Sequence, residues 1–316
     1  MTAGPTDSRR DEACRISDSG CAPVAVFAYA RAEHLRRSVE SLLANPEAKH
    51  TDVTFYCDAA RREEHQAGVQ QVRHFVDSVS GFRSVRRVYR ERNFGLARSI
   101  VDGVSQIVAE HGRVIVLEDD LELSPYFLRF MNEALVRYRD DPRVASVHGY
   151  VYPTRQLLPE TFFLRGADCW GWATWSRAWR HFDADGAGLM SRLKAQGLTR
   201  QFDYDGTYPF TWMLSQQVQG RNDSWAVRWH ASCFLDSLLT LYPGRSLVRN
   251  IGNDASGTHG EDSDIFTVSL SPTPVHVADI RVEASPEARA AIVEFFRSHR
   301  TARGQLRQMI YSLFGR

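Results

Sequence analysis

Cysteine is scarce in this chain. There are five among 316 residues, at positions 14, 21, 57, 169 and 233. They form no CxxC pair and no zinc-type spacing, which excludes a cysteine-built metal or redox centre, and an odd, scattered set suits a reducing compartment. Long apolar runs are missing as well: no stretch approaches the roughly 20 residues of a membrane span. A charge excess of either sign is also absent, since 39 Lys+Arg stand against 38 Asp+Glu. That argues against general nucleic-acid binding, which needs a basic surplus. No internal repeat and no low-complexity tract interrupts the chain. The amino terminus, rich in Thr, Ser, Asp and Arg, carries no secretory pattern, so residues 1–21 are expected to be a disordered leader. The expected location is cytoplasmic, with peripheral contact on the inner membrane face left open.

What is present begins at residue 24. Val24-Ala25-Val26-Phe27-Ala28-Tyr29 is a short apolar run that suits a buried strand. His34–Leu43 has helical spacing and ends at Asn45-Pro46. Val53–Tyr56 predicts a second strand, residues 62–79 a helix, Val85–Tyr89 a third strand, residues 95–110 a helix and Val114–Leu117 a fourth strand. This alternation predicts an α/β fold with a largely parallel sheet and right-handed crossovers, in which ligands bind outside the carboxyl ends of the strands. Polar residues follow all four predicted strands: Arg31, Asp58, Asn93 and the run Glu118-Asp119-Asp120. Ser124 is the expected N-cap of the next helix, and residues 144–147 form a further strand candidate.

The acidic run has three readings: solvated turn acids, a hard-cation site, or an acid/base pair for hydrolysis. It leaves a strand of four consecutive aliphatic residues. Three acids crowded at such an edge repel one another unless a cation or hydrogen bonds compensate, which favours Mg²⁺ or Mn²⁺.

The segment 23–43, the run Val116–Phe127 around Glu-Asp-Asp, and Asn93-Phe94-Gly95-Leu96-Ala97 resemble the GT-A glycosyltransferases. The N-acetylglucosaminyltransferase I group and related bacterial sugar transferases are the nearest likeness. Trp170-Gly171-Trp172-Ala173-Thr174-Trp175, Asn250–Asp254 and Gly257-Thr258-His259 extend it to about residue 260. The resemblance implies a GT-A, Rossmann-like mixed sheet flanked by helices, and an inverting, metal-assisted transfer from a nucleotide-diphosphate sugar, most simply a UDP-sugar. It places Arg31, Asp58 and Asn93 at the nucleotide, Glu118 and Asp119 at the ribose and sugar, and Asp120 on the metal. It points to Asp223, in Asn222-Asp223-Ser224-Trp225, as general base. Ser224 departs from the family's second acid there, and Asp203 and Asp205 are the substitutes. Asn93 stands where the animal enzymes have His.

Beyond Gly149 the chain is rich in aromatic residues. Trp170, Trp172, Trp175 and Trp179 suit core packing, but indole faces also stack on sugars, so Trp170 and Trp172 are candidates at the donor sugar or acceptor. His259 is a candidate ligand for the metal or a phosphate, whereas His230 reads as packed. The division expected is a nucleotide-sugar half at 22–123, an acceptor half of loops and short helices at 124–280, and a helical end at 281–316. In that end Leu306, Met309, Ile310, Leu313 and Phe314 make an apolar stripe flanked by arginines, suited to packing, dimerisation or an anionic membrane. The acceptor expected is therefore a glycan or lipid-linked glycan. Two rivals remain: a sugar nucleotidyltransferase, disfavoured because Ala28-Tyr29-Ala30-Arg31 lacks its glycine loop, and a catalytically inactive glycan- or nucleotide-binding scaffold.

Overall fold

A computed structural model of the chain describes residues 20–252 and 264–299. The first four strands fall where the aliphatic runs lie: β1 (Val24–Ala28), β2 (Asp52–Cys57), β3 (Ser84–Tyr89) and β4 (Arg113–Glu118). Helices α1 (Ala32–Leu43), α2 (Gln66–Ser78) and α3 (Leu96–His111) connect them. Each buries its periodic aliphatic face: Leu35, Val39 and Leu42 from α1, Val69, Val72 and Val76 from α2, Ile100, Val104 and Ile107 from α3.

After the acidic run come a short β5 (Leu121–Leu123), α4 (Phe127–Arg137) and β6 (Val144–His148). Helix α4 begins later than Ser124 predicts. The Ser124 hydroxyl donates instead to the Ser271 carbonyl at 2.8 Å, while its own carbonyl accepts the first helical amide, that of Phe127.

The second half contributes more regular structure than the sequence suggests. Strands β7 (Thr161–Arg165), β8 (Trp172–Trp175) and β9 (Leu239–Pro243) join the central sheet, and β10 (Val248–Asn250) pairs with β5. Between them lie α5 (Ser176–Trp179), α6 (Gly186–Ala195), α7 (Thr199–Phe202), α8 (Phe210–Val218) and α9 (Trp225–Leu235), and α10 (Pro286–Ser298) follows. The apolar stripe expected around Leu306–Phe314 lies outside the described residues.

The eight-stranded sheet has the order β3-β2-β1-β4-β8-β6-β9-β7. Strands β8 and β7 run against the other six, so the sheet is mixed and mainly parallel. Both of its faces are covered by helices, and one continuous apolar core runs through it. The carboxyl end of β4, where the acidic run leaves the sheet, lies beside the amino end of β8. No described helix is long and apolar enough to cross a membrane.

Candidate active site

Val114–Leu117 are buried in the sheet, so the chain can turn polar only where β4 emerges at its carboxyl edge. Glu118 ends the strand, and Asp119 and Asp120 form the turn into β5. Asp119 is buried. Its carboxylate accepts from the Tyr29 amide at 3.3 Å and from Arg31 Nη2 at 2.7 Å, and Ser38 Oγ donates to its carbonyl at 2.9 Å. The same Arg31 nitrogen reaches Asp120 Oδ2 at 2.5 Å. Arg31, expected at the nucleotide base, thus spans two carboxylates of the acidic run.

The electrostatics follow from crowding. Burial, then repulsion from Asp120 and Asp119, pushes the Glu118 carboxyl up to about 8. Burial also raises Asp119 above the usual carboxylate range, against the pull of Arg31. Arg31 itself is partly desolvated, yet the two aspartates hold its pKa above its ordinary value. The cluster holds more carboxyl groups than one guanidinium can keep ionised, so Glu118 favours its protonated form at neutral pH.

A second strand pair closes over the run. In β10–β5, Arg249 pairs with Glu122, and Arg37 of α1 reaches the same carboxylate at 2.8 Å. The chain leaving β10 is pinned by the Ile251 amide donating to the Asp120 carbonyl at 2.8 Å. Gly252 then lies so close that a Cβ there would stand 2.2 Å from Asp120 Oδ2 and 2.9 Å from an Arg31 nitrogen. A side chain there would have to push the Asp120 carboxylate aside.

Asp58 and Asn93 come together at the ends of β2 and β3. The Asp58 carboxylate accepts from the amides of Ala59 (2.9 Å), Phe94 (2.8 Å) and Gly95 (2.9 Å) and from Asn93 Nδ2 (3.0 Å). Gly95, at φ +74°, is the N-cap of α3 and has no side chain to do the capping, so Asp58 holds this turn from across the sheet. Phe94 lies under the guanidinium groups of Arg90 and Arg98, at 4.4 and 4.3 Å from its ring centre.

The acceptor-side candidates separate. Trp172 has no exposure and packs among Trp225, Trp179 and Trp229 at 5.3–6.2 Å between ring centres. Its position on β8, inside the sheet, turns it into the core, and its indole presents no face to a sugar. Trp170 is half-buried and edge-on to Tyr150 at 4.7 Å, in the loop that precedes β8. Asp223 is exposed just before the N-cap of α9 and pairs with Arg228 at 3.0 Å. Of its substitutes, Asp203 accepts the Thr211 amide at 2.6 Å at the start of α8, and Asp205 pairs with Arg289 at 2.7 Å. His230 is buried, with Nδ1 2.7 Å from the Ala167 carbonyl. His259 lies outside the described residues.

Sequence reading missed Asp168. It lies two residues before Trp170, half-buried, and Tyr152 Oη donates to its carboxylate at 2.9 Å. The only signal was an acid adjoining a Trp-Gly-Trp segment.

The described residues contain no group of three His, Cys, Asp or Glu side chains arranged to hold a metal. Mg²⁺-type sites, however, commonly use one or two carboxylates and complete their shell with water and substrate phosphates. Asp120 fits that pattern. Among the described residues its carboxylate is bonded only by Arg31, and a cation there would offset the repulsion that holds the Glu118 carboxyl up at about 8.

The family model of Glycosyl transferase family 2 matches residues 24–186, which are 163 of the 316. The chain belongs to that family. No curated protein matches the chain. Among solved structures it is similar to the mannosyltransferase PcManGT from Pyrobaculum calidifontis, in complex with GDP-Man and Mn2+, at 15% identity and TM-score 0.33 over 43% of this chain and 37% of that one. S. aureus TarS matches at 14% identity and TM-score 0.31, over 46% of this chain and 24% of that one. A UDP-glucose pyrophosphorylase complexed with UDP-glucose matches at 10% and 0.31, over 51% and 78%. The chain thus spans well under half the length of the first two, and likeness this remote bears on neither donor nor acceptor.

Proposed function

We propose that the protein is an inverting glycosyltransferase that moves a sugar from a nucleotide-diphosphate donor, a UDP-sugar in the simplest case, to a hydroxyl of a glycan or lipid-linked glycan. The observation that carries the reading is the three-acid run at the carboxyl edge of β4, overlaid by Gly252, in a family 2 chain. Asp120 would hold a divalent cation, Mn²⁺ or Mg²⁺. When bound, that ion would steady the charge developing on the leaving diphosphate. The chain's own residues do the rest. Asp119, fixed by Tyr29 and Arg31, and Glu118 line the place of the ribose and sugar. Asp58 fixes the Asn93–Gly95 turn, which this reading assigns to the nucleotide end of the site. A carboxylate on the acceptor side takes the hydroxyl proton as the oxygen attacks the anomeric carbon and the sugar–phosphate bond breaks.

The direct test is a screen of nucleotide sugars for nucleotide release, with Mn²⁺ and again with EDTA. The reading expects release from at least one donor that EDTA removes. Release that EDTA leaves unchanged would defeat the metal assignment. No release from any donor would defeat the transferase reading and favour an inactive scaffold.

A further inference from the structure

The register of β8 against β4 brings a second carboxylate to the edge occupied by the acidic run. These strands are antiparallel, with Arg113 opposite Trp175 and Val116 opposite Trp172. Continuing past Val116, β4 leads to Glu118 and the turn at Asp120. Continuing in the other direction, the chain leads from Trp172 back through Trp170 to Asp168. Both segments leave the same edge of the sheet at neighbouring positions. The charge environment of Cys169 agrees, since Asp168, Glu118 and Asp120 all act on its thiol beside the effect of burial.

The loop bearing Asp168 is anchored at both ends by buried histidines. The Trp170 amide donates to His148 Nε2 at 3.0 Å. His230 Nδ1 lies 2.7 Å from the Ala167 carbonyl and 3.1 Å from the Ala167 amide. Burial lowers the pKa of both rings, that of His230 to about 4, so each serves as a neutral hydrogen-bonding group. The Asp168 carboxylate is oriented in turn by Tyr152 Oη and by the Cys169 amide, each at 2.9 Å. Among the described residues no cation pairs with it. Asp223, by contrast, is exposed and paired with Arg228. Trp170, two residues along, offers an indole edge beside Tyr150. A fixed, half-buried carboxylate with no cation partner among the described residues, close in sequence to an indole and leaving the sheet at the edge where the acidic run emerges, is suited to take the proton of a hydroxyl acceptor.

We infer that Asp168 is the carboxylate that accepts the proton of the acceptor hydroxyl, with His148, His230 and Tyr152 as positioning residues. This rests on the transferase reading above. In the step, the acceptor oxygen bonds to the anomeric carbon and its proton passes to an Asp168 oxygen. The carbon–oxygen bond to the diphosphate breaks, and the diphosphate leaves with the electron pair.

The test uses the full-length protein, Mn²⁺, and the donor that the screen identifies, with water as acceptor and nucleotide release as the readout. Asp168→Ala and Asp168→Asn are expected to bind UDP and Mn²⁺ as the wild type does, while turnover falls 10²- to 10⁴-fold. Sodium formate, a small carboxylate, is expected to restore turnover in Asp168→Ala but not in Asp120→Ala, an effect that a merely structural loss would not show. Turnover within a few-fold of wild type in both Asp168 variants would overturn the proposal. So would formate rescue of Asp223→Ala in place of Asp168→Ala. A wild type that binds no nucleotide would overturn the transferase reading itself, and this inference with it.

Discussion

The guanidinium of Arg31 lies on the two carboxylates, Asp119 and Asp120, that a divalent cation would otherwise neutralise. A bound cation at Asp120 and the Arg31 contact at 2.5 Å therefore compete for one oxygen. Replacing Asp120 with Ala is expected to lower metal-dependent nucleotide release by about 10²-fold or more. The fold should persist, because the change removes one of three repelling acids and leaves Asp119 its Arg31 partner. Thermal melting alongside the release assay checks both halves. Full turnover in this variant would show that Asp120 does not hold the metal.

His230 couples stability to pH. It is buried neutral, and burial pushes its pKa from about 6.5 down to about 4. Between those values the unfolded chain binds the proton and the folded chain does not, so its contribution to stability is lost as pH falls through that window. Asp203, raised by burial to about 6, and Glu118 act in the opposite direction. The quantity to read is therefore a difference between proteins. From pH 7 to pH 5, His230→Phe should gain on the order of 2 kcal/mol relative to wild type. Urea midpoints at the two pH values measure it, and a pH-independent difference would contradict it.

Among the elements, β10 and the segment after it decide how tightly Asp120 is held. Gly252 tests this. Its backbone is not in the left-handed region, so Ala is conformationally allowed there, and the methyl would meet Asp120 Oδ2 at 2.2 Å unless that carboxylate moves. Gly252→Ala should displace that carboxylate and weaken Mn²⁺ affinity by roughly 10-fold, about 1.4 kcal/mol, with a much smaller change in melting temperature. Calorimetric titration with Mn²⁺ reads it, and unchanged affinity would separate Gly252 from the site. Strands β1 to β4 were readable because each is an aliphatic run closed by a polar residue, and the acidic run was readable because it interrupts the apolar pattern abruptly. Strands β7, β8 and β9 were not. Trp172-Ala173-Thr174-Trp175 is short and aromatic, and its role as the neighbour of β4 is fixed by tertiary pairing. The burial of Trp172 and the placement of Asp168 both follow from that pairing, which no local pattern encodes.

In the whole molecule, both halves of the chain build one sheet, and the site sits where they meet. Strand β4, from the first half, ends in the acidic run, and β8, from the second, begins beside it. On the proposed assignment, the carboxylates of the donor and acceptor sides are thereby carried by one continuous core, an arrangement suited to a single in-line displacement. The most direct measurement of this account is calorimetric titration of UDP into the wild type and Asp120→Ala, each with Mn²⁺ and with EDTA. Mn²⁺ is expected to strengthen UDP binding at least 10-fold in the wild type and to have no effect in the variant. Binding of UDP that ignores Mn²⁺ in the wild type, or that responds to it equally in both proteins, would contradict it.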